Sequence, residues 1–314
     1  MSVERKMKKI NMDTLENAER KISVSRLRRV GVALIVLVLL GSGGYAAYRM
    51  MTGQVIGSRF TVNKMNCPAC VITVKEVTGK IPGVVETVVS LAAQDVTVKF
   101  REKQTNPEAI QEAIARAGYP VKLDGLFKPM GSGINEVLVA DVNGKPLFER
   151  DLKLPLDVVK KETKADLPSA FFSVVGKKIL LDAADAQMVV VQPYEVEEEV
   201  RRIFGEQGTS REEFLTWISS TYGSPEKYYQ IVGQRLGIRK LLDENVLQGI
   251  EDPVEKNRKT FEWAGKLFKD ADVKILDPGL KEKVRTSVGQ DEWKTLWPRM
   301  IAHCLLYTSD AADE

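Results

Sequence analysis

The chain has 314 residues, which at roughly 150 residues per domain suggests about two domains. Its composition is ordinary for a globular protein, with 44% hydrophobic and 28% charged residues. The net charge of +3 and the absence of an Arg/Lys stripe with interleaved aromatic residues exclude a nucleic-acid partner from our expectations.

The basic excess is local and precedes an apolar segment. Residues 1–29 hold nine Lys or Arg against four acidic residues, and residues 30–48 carry no charge. Nineteen residues at ~1.5 Å each span ~28 Å, enough for a transmembrane helix. The flank predicts a single-pass inner-membrane protein with a basic cytoplasmic N-terminus and exported domains. The alternative is a cleaved signal peptide, after which the chain is exported as well.

Residues 64–70 read Lys-Met-Asn-Cys-Pro-Ala-Cys and place Cys67 and Cys70 between a strand-like and a helix-like run. Two thiols at this spacing can bind one soft metal ion or form one disulfide. Helix N-termini and nearby cations lower thiol pKa values, and Lys64 is close in sequence. Residues 57–124 hold no other Cys and no His, so a four-ligand structural zinc site is not expected here.

The segment 57–124 has the pattern of a ferredoxin-like βαββαβ unit. Strands are predicted at about 58–63, 84–91, 95–100 and 119–123, and the first helix at about 69–80. Asn106-Pro107 is an N-cap followed by Pro at the first helical position, and Gly118 ends this second helix.

These motifs, with Gly83-Val84 and Gly118-Tyr119-Pro120, resemble the heavy-metal-associated domain family, which includes periplasmic mercury-binding proteins and copper chaperones. The resemblance implies that Cys67 and Cys70 bind Hg(II) or Cu(I), with Zn(II) a weaker candidate. It also places Met65, Lys64 and Tyr119 near the metal site. Tyr119 is equally explained as a core aromatic residue, and Lys64 stands where the family usually has glycine.

Thiolates select soft ions, and two-coordinate binding suits Hg(II) or Cu(I). A third thiol from a partner, a metal transporter or metalloprotein, would permit transfer by ligand exchange. Two alternatives for the cysteine pair stay open. One is a structural disulfide, and the other is a thiol-redox motif of the Cys-x-x-Cys type.

Residues 125–133 are predicted to be a linker, and residues 134–278 a mainly α-helical domain. A strand at 136–142 turns at Asn143-Gly144, and a strand at about 273–276 is expected to pair with it. Helices are predicted between them, at about 156–164, 169–188, 194–206, 211–222, 225–246 and 253–269. Residues 142–147, 195–203, 210–214 and 235–242 resemble the SurA N-terminal chaperone domain, which implies binding of unfolded or exported polypeptide in an apolar groove.

The C-terminal residues are set apart from this domain. Residues 304–314 resemble the in-frame translation of a sequencing adapter, so we expect them, with Cys304, to be an artefact. Residues 279–303 are unassigned, and we expect the natural chain to continue differently after about His303. This single histidine cannot supply a parvulin isomerase site of the kind that follows some SurA-like domains, and no enzyme is predicted.

The fold class predicted is therefore α+β: a transmembrane helix, a ferredoxin-like domain and a helical domain. The function predicted is binding and transfer of a soft metal ion by a membrane-anchored extracytoplasmic protein with a polypeptide-binding, chaperone-like domain. The alternatives are a thiol-redox chaperone that uses Cys67 and Cys70, and a general periplasmic chaperone without a metal role.

Overall fold

The computed structural model describes residues 53–128, 134–153, 167–208 and 210–288. Outside the described residues lie the following predicted features: the basic segment 1–29, the membrane span 30–48, the helix 156–164 and the adapter-like residues 304–314, together with parts of the linker (129–133) and of the unassigned segment (289–303). In the part of the chain that is described, no helix is both long and apolar enough to cross a membrane.

The predicted βαββαβ unit is confirmed, and we call residues 55–127 the cysteine module. Its elements are β1 (Val55–Val62), α1 (Pro68–Gly79), β2 (Val84–Ser90), β3 (Asp95–Arg101), α2 (Pro107–Arg116) and β4 (Val121–Phe127). The strands form one antiparallel sheet in the order β2-β3-β1-β4. Both helices pack on the same apolar core, which is built around Phe60, Phe100 and Ile110.

Local capping explains where the second helix of this module begins. Asn106 Oδ1 accepts a hydrogen bond from Ala109 N at 2.8 Å, and Pro107 occupies the first helical position, where no amide donor is needed. Ile110 and Ile114, four residues apart, are fully buried against the sheet. The predicted N-cap and apolar face are therefore both confirmed.

We call residues 138–288 the helical module. Its elements are β5 (Leu138–Val142), β6 (Lys145–Phe148), α3 (Leu167–Ala186), α4 (Pro193–Gln207), α5 (Arg211–Tyr222), α6 (Pro225–Asn245), α7 (Pro253–Asp270), β7 (Val273–Ile275) and α8 (Pro278–Val288). Asn143 and Gly144 both have positive φ, as a two-residue type I′ hairpin turn requires. The short strand β7 pairs antiparallel with β5, as predicted.

Two predicted boundaries are wrong. Strand β4 runs to Phe127, so residues 125–127 are strand rather than linker. Gly125 suggests a turn in the sequence, but it lies within a strand because the Phe148 ring fills the space where a Cβ would stand, only 2.9 Å away. The helical module also continues past 278, since Leu280 and Val284 of α8 are buried in its main core.

The two modules pack closely through the sheet face that α1 and α2 leave uncovered. Side chains alternate along β1, so Gly57, Arg59 and Thr61 point away from the core of the cysteine module. Arg59 is 7% exposed and makes a bidentate ion pair with Asp151, with N–O distances of 2.7 and 2.8 Å. Its guanidinium also stacks on the Phe148 ring, 4.7 Å from the centroid.

A second set of contacts joins the β2–β3 loop to the helices. Asp185 of α3 accepts hydrogen bonds from Ser90 Oγ at 2.5 Å and from Ala92 N at 2.7 Å. Gln230 and Gln234 of α6 each donate a side-chain hydrogen bond to the carbonyl oxygen of Ala93. The cysteine module is therefore held in a defined orientation on the helical module by contacts at two separate places.

Candidate metal centre

Cys67 and Cys70 lie at the start of α1, as predicted. Cys67 is the N-cap residue: its Sγ accepts a hydrogen bond from Cys70 N at 3.1 Å. Pro68 follows at the first helical position, and the first turn of α1 carries no acidic side chain. A negatively charged sulfur at this place is stabilised by the backbone amide and by the positive end of the helix dipole.

The two sulfurs form a disulfide in this structure, with 5.2 Å between the Cα atoms. Cys70 is 7% exposed, whereas Cys67 is partly exposed and Pro68 and Ala69 are exposed. One cysteine of the pair is thus anchored in the core while the other lies at the surface. Reduction of the bond, which takes two electrons and two protons, would produce the two thiols that a metal ion needs.

The three residues predicted to lie near the site have different surroundings. Met65 is buried, at 1% exposed, and belongs to the same apolar cluster as Cys70. Tyr119 is partly buried and packs on that cluster, which also borders Cys67. Either of the roles weighed for Tyr119 agrees with this position, so a direct role at the metal stays a prediction.

Lys64 has a φ of +67°, in the left-handed region that glycine adopts without strain. Its side chain is exposed, so no packing compensates for the backbone conformation. This geometry gives a physical reason why glycine would suit the position, and it shows that the chain keeps the same loop path with lysine. The lysine adds one positive charge beside the cysteine loop.

The donor set fits a soft, low-coordinate ion. Among the described residues, no group of three or more His, Cys, Asp or Glu side chains converges on one point. The protein itself therefore offers two sulfur atoms, and a harder ion that demands four to six nitrogen or oxygen ligands is poorly matched.

A cleft beside the cysteine loop was not predicted from the sequence. It has a volume of about 840 Å³ and lies between residues 63–66 on one side and helices α4 and α6 on the other. Asn66 lines it, and Asn66 Oδ1 is 4.0 Å from Cys70 Sγ. A sequence signal did exist: Gly233 and Gly237 are spaced one turn apart within a predicted helix.

These features define the class of the protein: a two-cysteine loop caps the first helix of a βαββαβ fold, as in a soft-metal-binding domain. Residues 59–120 match the family described as heavy-metal-associated domain. The chain belongs to the heavy-metal-associated domain family.

The relatives include mercury and copper proteins. The mercuric transport protein periplasmic component of Salmonella typhi is 33% identical over 91 residues, which are 29% of this chain and 92% of that protein. The copper-exporting P-type ATPase of Bacillus subtilis is 32% identical over 68 residues, 22% of this chain. This chain spans 8% of the length of the copper-transporting ATPases that it matches.

Among solved structures, the crystal structure of oxidized MerP from Ralstonia metallidurans is 31% identical. The match covers 22% of this chain and 97% of that one, with a TM-score of 0.22.

Proposed function

We propose that the protein captures a soft metal ion, Hg(II) or Cu(I), with the reduced thiols of Cys67 and Cys70 and passes it on by ligand exchange. The observation that carries this proposal is the position of the pair. Cys67 caps α1 with its sulfur, Cys70 lies in the first turn, and the two share one surface loop. Membership of a metal-binding family and the relatives named for mercury and copper support it.

Transfer rather than storage follows from the coordination that the loop can offer. With two sulfur ligands, an ion such as Hg(II) keeps an accessible position for a third thiolate. Cys67 is partly exposed, so an incoming thiol can approach the ion from solvent. The recipient we propose is a metal transporter or an exported metalloprotein that presents such a thiol.

We extend the proposal to the rest of the chain. Residues 30–48 anchor the protein in the inner membrane, the basic segment stays in the cytoplasm, and both modules work outside it. The helical module binds unfolded or exported polypeptide in the manner of a SurA N-terminal domain, and the protein is not an enzyme. A pull-down tests this part: clients enriched by the whole protein should be lost when residues 134–288 are deleted.

One observation favours a second candidate function. The disulfide between Cys67 and Cys70 is the oxidised form of a Cys-x-x-Cys pair, which a thiol-redox chaperone would exchange with clients. In that case the pair should oxidise a reduced client at catalytic rates, and metal binding should be weak against a competing thiol. A general chaperone that uses neither metal nor redox chemistry is the third alternative.

The first experiment is metal titration of the reduced, detergent-solubilised full chain with Hg(II), Cu(I) and Zn(II), under a competing thiol. Wild type is compared with the variant Cys67→Ser/Cys70→Ser. Tight binding of one ion per chain that is lost in the double variant supports the metal function and ranks the ions. Equal, weak binding by both proteins rejects it and leaves the redox and general chaperone functions.

A further inference from the structure

The cleft between the modules begins at the cysteine loop itself. Residues 63–66 form one wall, and Cys67 follows directly in the chain. Because Asn66 Oδ1 lies 4.0 Å from Cys70 Sγ, an occupant that touches Asn66 is within a few ångströms of the sulfur atoms. The opposite wall belongs to helices α4 and α6 of the helical module, so the cleft is continuous with the contact between the two modules.

The lining combines apolar surface with amide groups. Much of the wall is aliphatic or aromatic, including Leu91, Val191 and Tyr229, and the exposed side chains of Met188 and Tyr194 lie next to lining residues in sequence. The polar lining is mainly carboxamide: Asn63, Asn66, Gln94, Gln230 and Gln234. Carboxamides both donate and accept hydrogen bonds, which matches the alternating groups of a peptide backbone.

Two glycines widen the cleft at α6. Gly233 and Gly237 line it one helical turn apart, where alanine would be the better helix former. A Cβ at Gly237 would lie 3.5 Å from Val191 Cγ2, an ordinary contact, and one at Gly233 would lie 3.4 Å from Val196 Cγ2. Packing within the protein therefore leaves room for alanine at both positions, whereas a chain laid across α6 would benefit from their absence of side chains.

The charges of the lining are asymmetric. Lys64 lies on the loop wall, and Glu197 and Glu226 lie on the helical wall, so the lining carries a net charge of −1 from these three charged residues. A partner with basic side chains facing α4 and α6 would match the two carboxylates, and a strongly acidic partner would face them with the wrong sign.

We propose that this cleft is the docking site of the metal recipient, and that the recipient is an extended segment of exported polypeptide with a cysteine flanked by apolar and basic residues. The inference rests on the proposed metal function and adds to it the recognition element. The helical module holds the recipient segment in the cleft so that its cysteine reaches the ion at Cys67 and Cys70.

The exchange itself conserves electrons. The recipient thiol loses its proton and its sulfur forms a bond to the ion, after which the bond between the ion and one of the two protein sulfurs breaks. That sulfur takes up a proton, and a second exchange with another recipient thiol or a solution thiol releases the ion from the remaining cysteine. Holding the recipient in the cleft raises the effective concentration of its thiol at the ion.

The test compares two acceptors for Hg(II) loaded on the reduced full chain. One is a ten-residue peptide with a central cysteine, leucine and valine on both sides and two lysines; the other is 2-mercaptoethanol. Mercury on each acceptor is measured by rapid quenching and mass spectrometry. We expect the peptide to accept the ion about tenfold faster at equal thiolate concentration.

Two variants locate the effect in the cleft. Gly233→Leu fills it with a side chain on α6 and should reduce transfer to the peptide to the rate seen with 2-mercaptoethanol, with Hg(II) affinity unchanged. Glu197→Lys, at an exposed position that should not disturb folding, should slow the lysine peptide and speed a matched glutamate peptide. Gly205→Leu, at a helical glycine with no neighbouring atom within 4 Å, is the matched control and should behave as wild type.

The outcomes separate this inference from the function on which it rests. If wild type fails to bind Hg(II) against the competing thiol, the proposed function is rejected. If it binds and Gly233→Leu and Glu197→Lys both transfer to the peptides as wild type does, the metal function stands and the docking site is wrong.

Discussion

The two faces of the four-stranded sheet are built from opposite chemistry. The face under α1 and α2 is apolar, with Phe60, Val98 and Phe100 fully buried. The other face carries Arg59, which is buried just as well but against Asp151 and Asp124 of the surrounding chain. The first face needs only apolar area to be stable, while the second depends on the right partner being in place.

This difference shows how the protein is organised for its proposed task. The apolar face makes the cysteine module, and the polar face fixes that module on the helical module. A module that swings on a flexible linker would present its cysteines in any direction. Here the contacts through Arg59 and Asp185 keep the cysteine loop beside helices α4 and α6.

The largest effect should come from removing Arg59. The variant Arg59→Ala leaves the carboxylate of Asp151 buried without its cation, which typically costs about 3–5 kcal/mol in the free energy of unfolding. Urea denaturation followed by circular dichroism measures it. The exposed Arg258, which pairs with Glu255 and Glu262, supplies the control variant Arg258→Ala, for which we expect little change. Equal effects of the two variants would contradict the importance of the polar face.

The same ion pair predicts a dependence on pH. Burial by itself raises the pKa of Asp151, but the charge and hydrogen bonds of Arg59 outweigh it and bring that pKa to about 2. Because the folded-state pKa lies below the value of the unfolded chain, the pair stabilises the fold above pH ~4 and loses this contribution as the pH falls toward ~2.

Asp151→Asn removes the titrating group and should lower the free energy of unfolding by ~2 kcal/mol at neutral pH. The gap between wild type and variant should close as the pH falls from ~4 to ~2. Denaturation of both proteins across this range measures the gap, and other acidic groups common to both largely cancel. A gap that stays constant down to pH ~2 would refute the assignment.

A steric substitution on the polar face should have a somewhat smaller effect. A Cβ at Gly57 would lie 2.2 Å from the Phe127 ring, so Gly57→Ala forces the ring or the strand to move and should cost about 1–3 kcal/mol. Gly205→Ala, in an open part of α4, is the matched control and should be neutral or slightly stabilising. Thermal unfolding of the two variants distinguishes a tight face from an open one.

The comparison of the two faces also explains what the sequence predicts well. Asn106-Pro107, Asn143-Gly144 and the Cys-Pro-Ala-Cys run act through neighbours a few residues away, so their helix start, turn and loop are predicted correctly. The ion pair of Arg59 spans 92 residues of sequence and leaves no local pattern. The cleft was missed for the same reason, because its walls come from two modules.

The boundary errors have a related cause. Gly125 resembles a turn residue in the sequence, and only the tertiary contact with Phe148 shows why glycine is needed inside a strand. The apolar residues Leu280 and Val284 likewise join a core whose other members come from α3 and α7. Sequence periodicity identifies an element and its buried side, but it does not identify what the element packs against.

The smallest effect tests the loop that links the two faces to the chemistry. Lys64 adopts a φ of +67°, and left-handed backbone costs a non-glycine residue about 1 kcal/mol or slightly more. Lys64→Gly should therefore raise the free energy of unfolding, by somewhat less than this amount because glycine also makes the unfolded chain more flexible.

Lys64→Ala is the control that separates backbone from charge, since it removes the ammonium group but keeps the unfavourable conformation. Thermal unfolding of both variants at two salt concentrations should show that only Lys64→Gly is stabilising, and that its effect is independent of salt. If the alanine variant is as stable as the glycine variant, the lysine charge rather than the backbone governs this loop. In that case the positive charge beside Cys67 becomes the feature to examine in metal transfer.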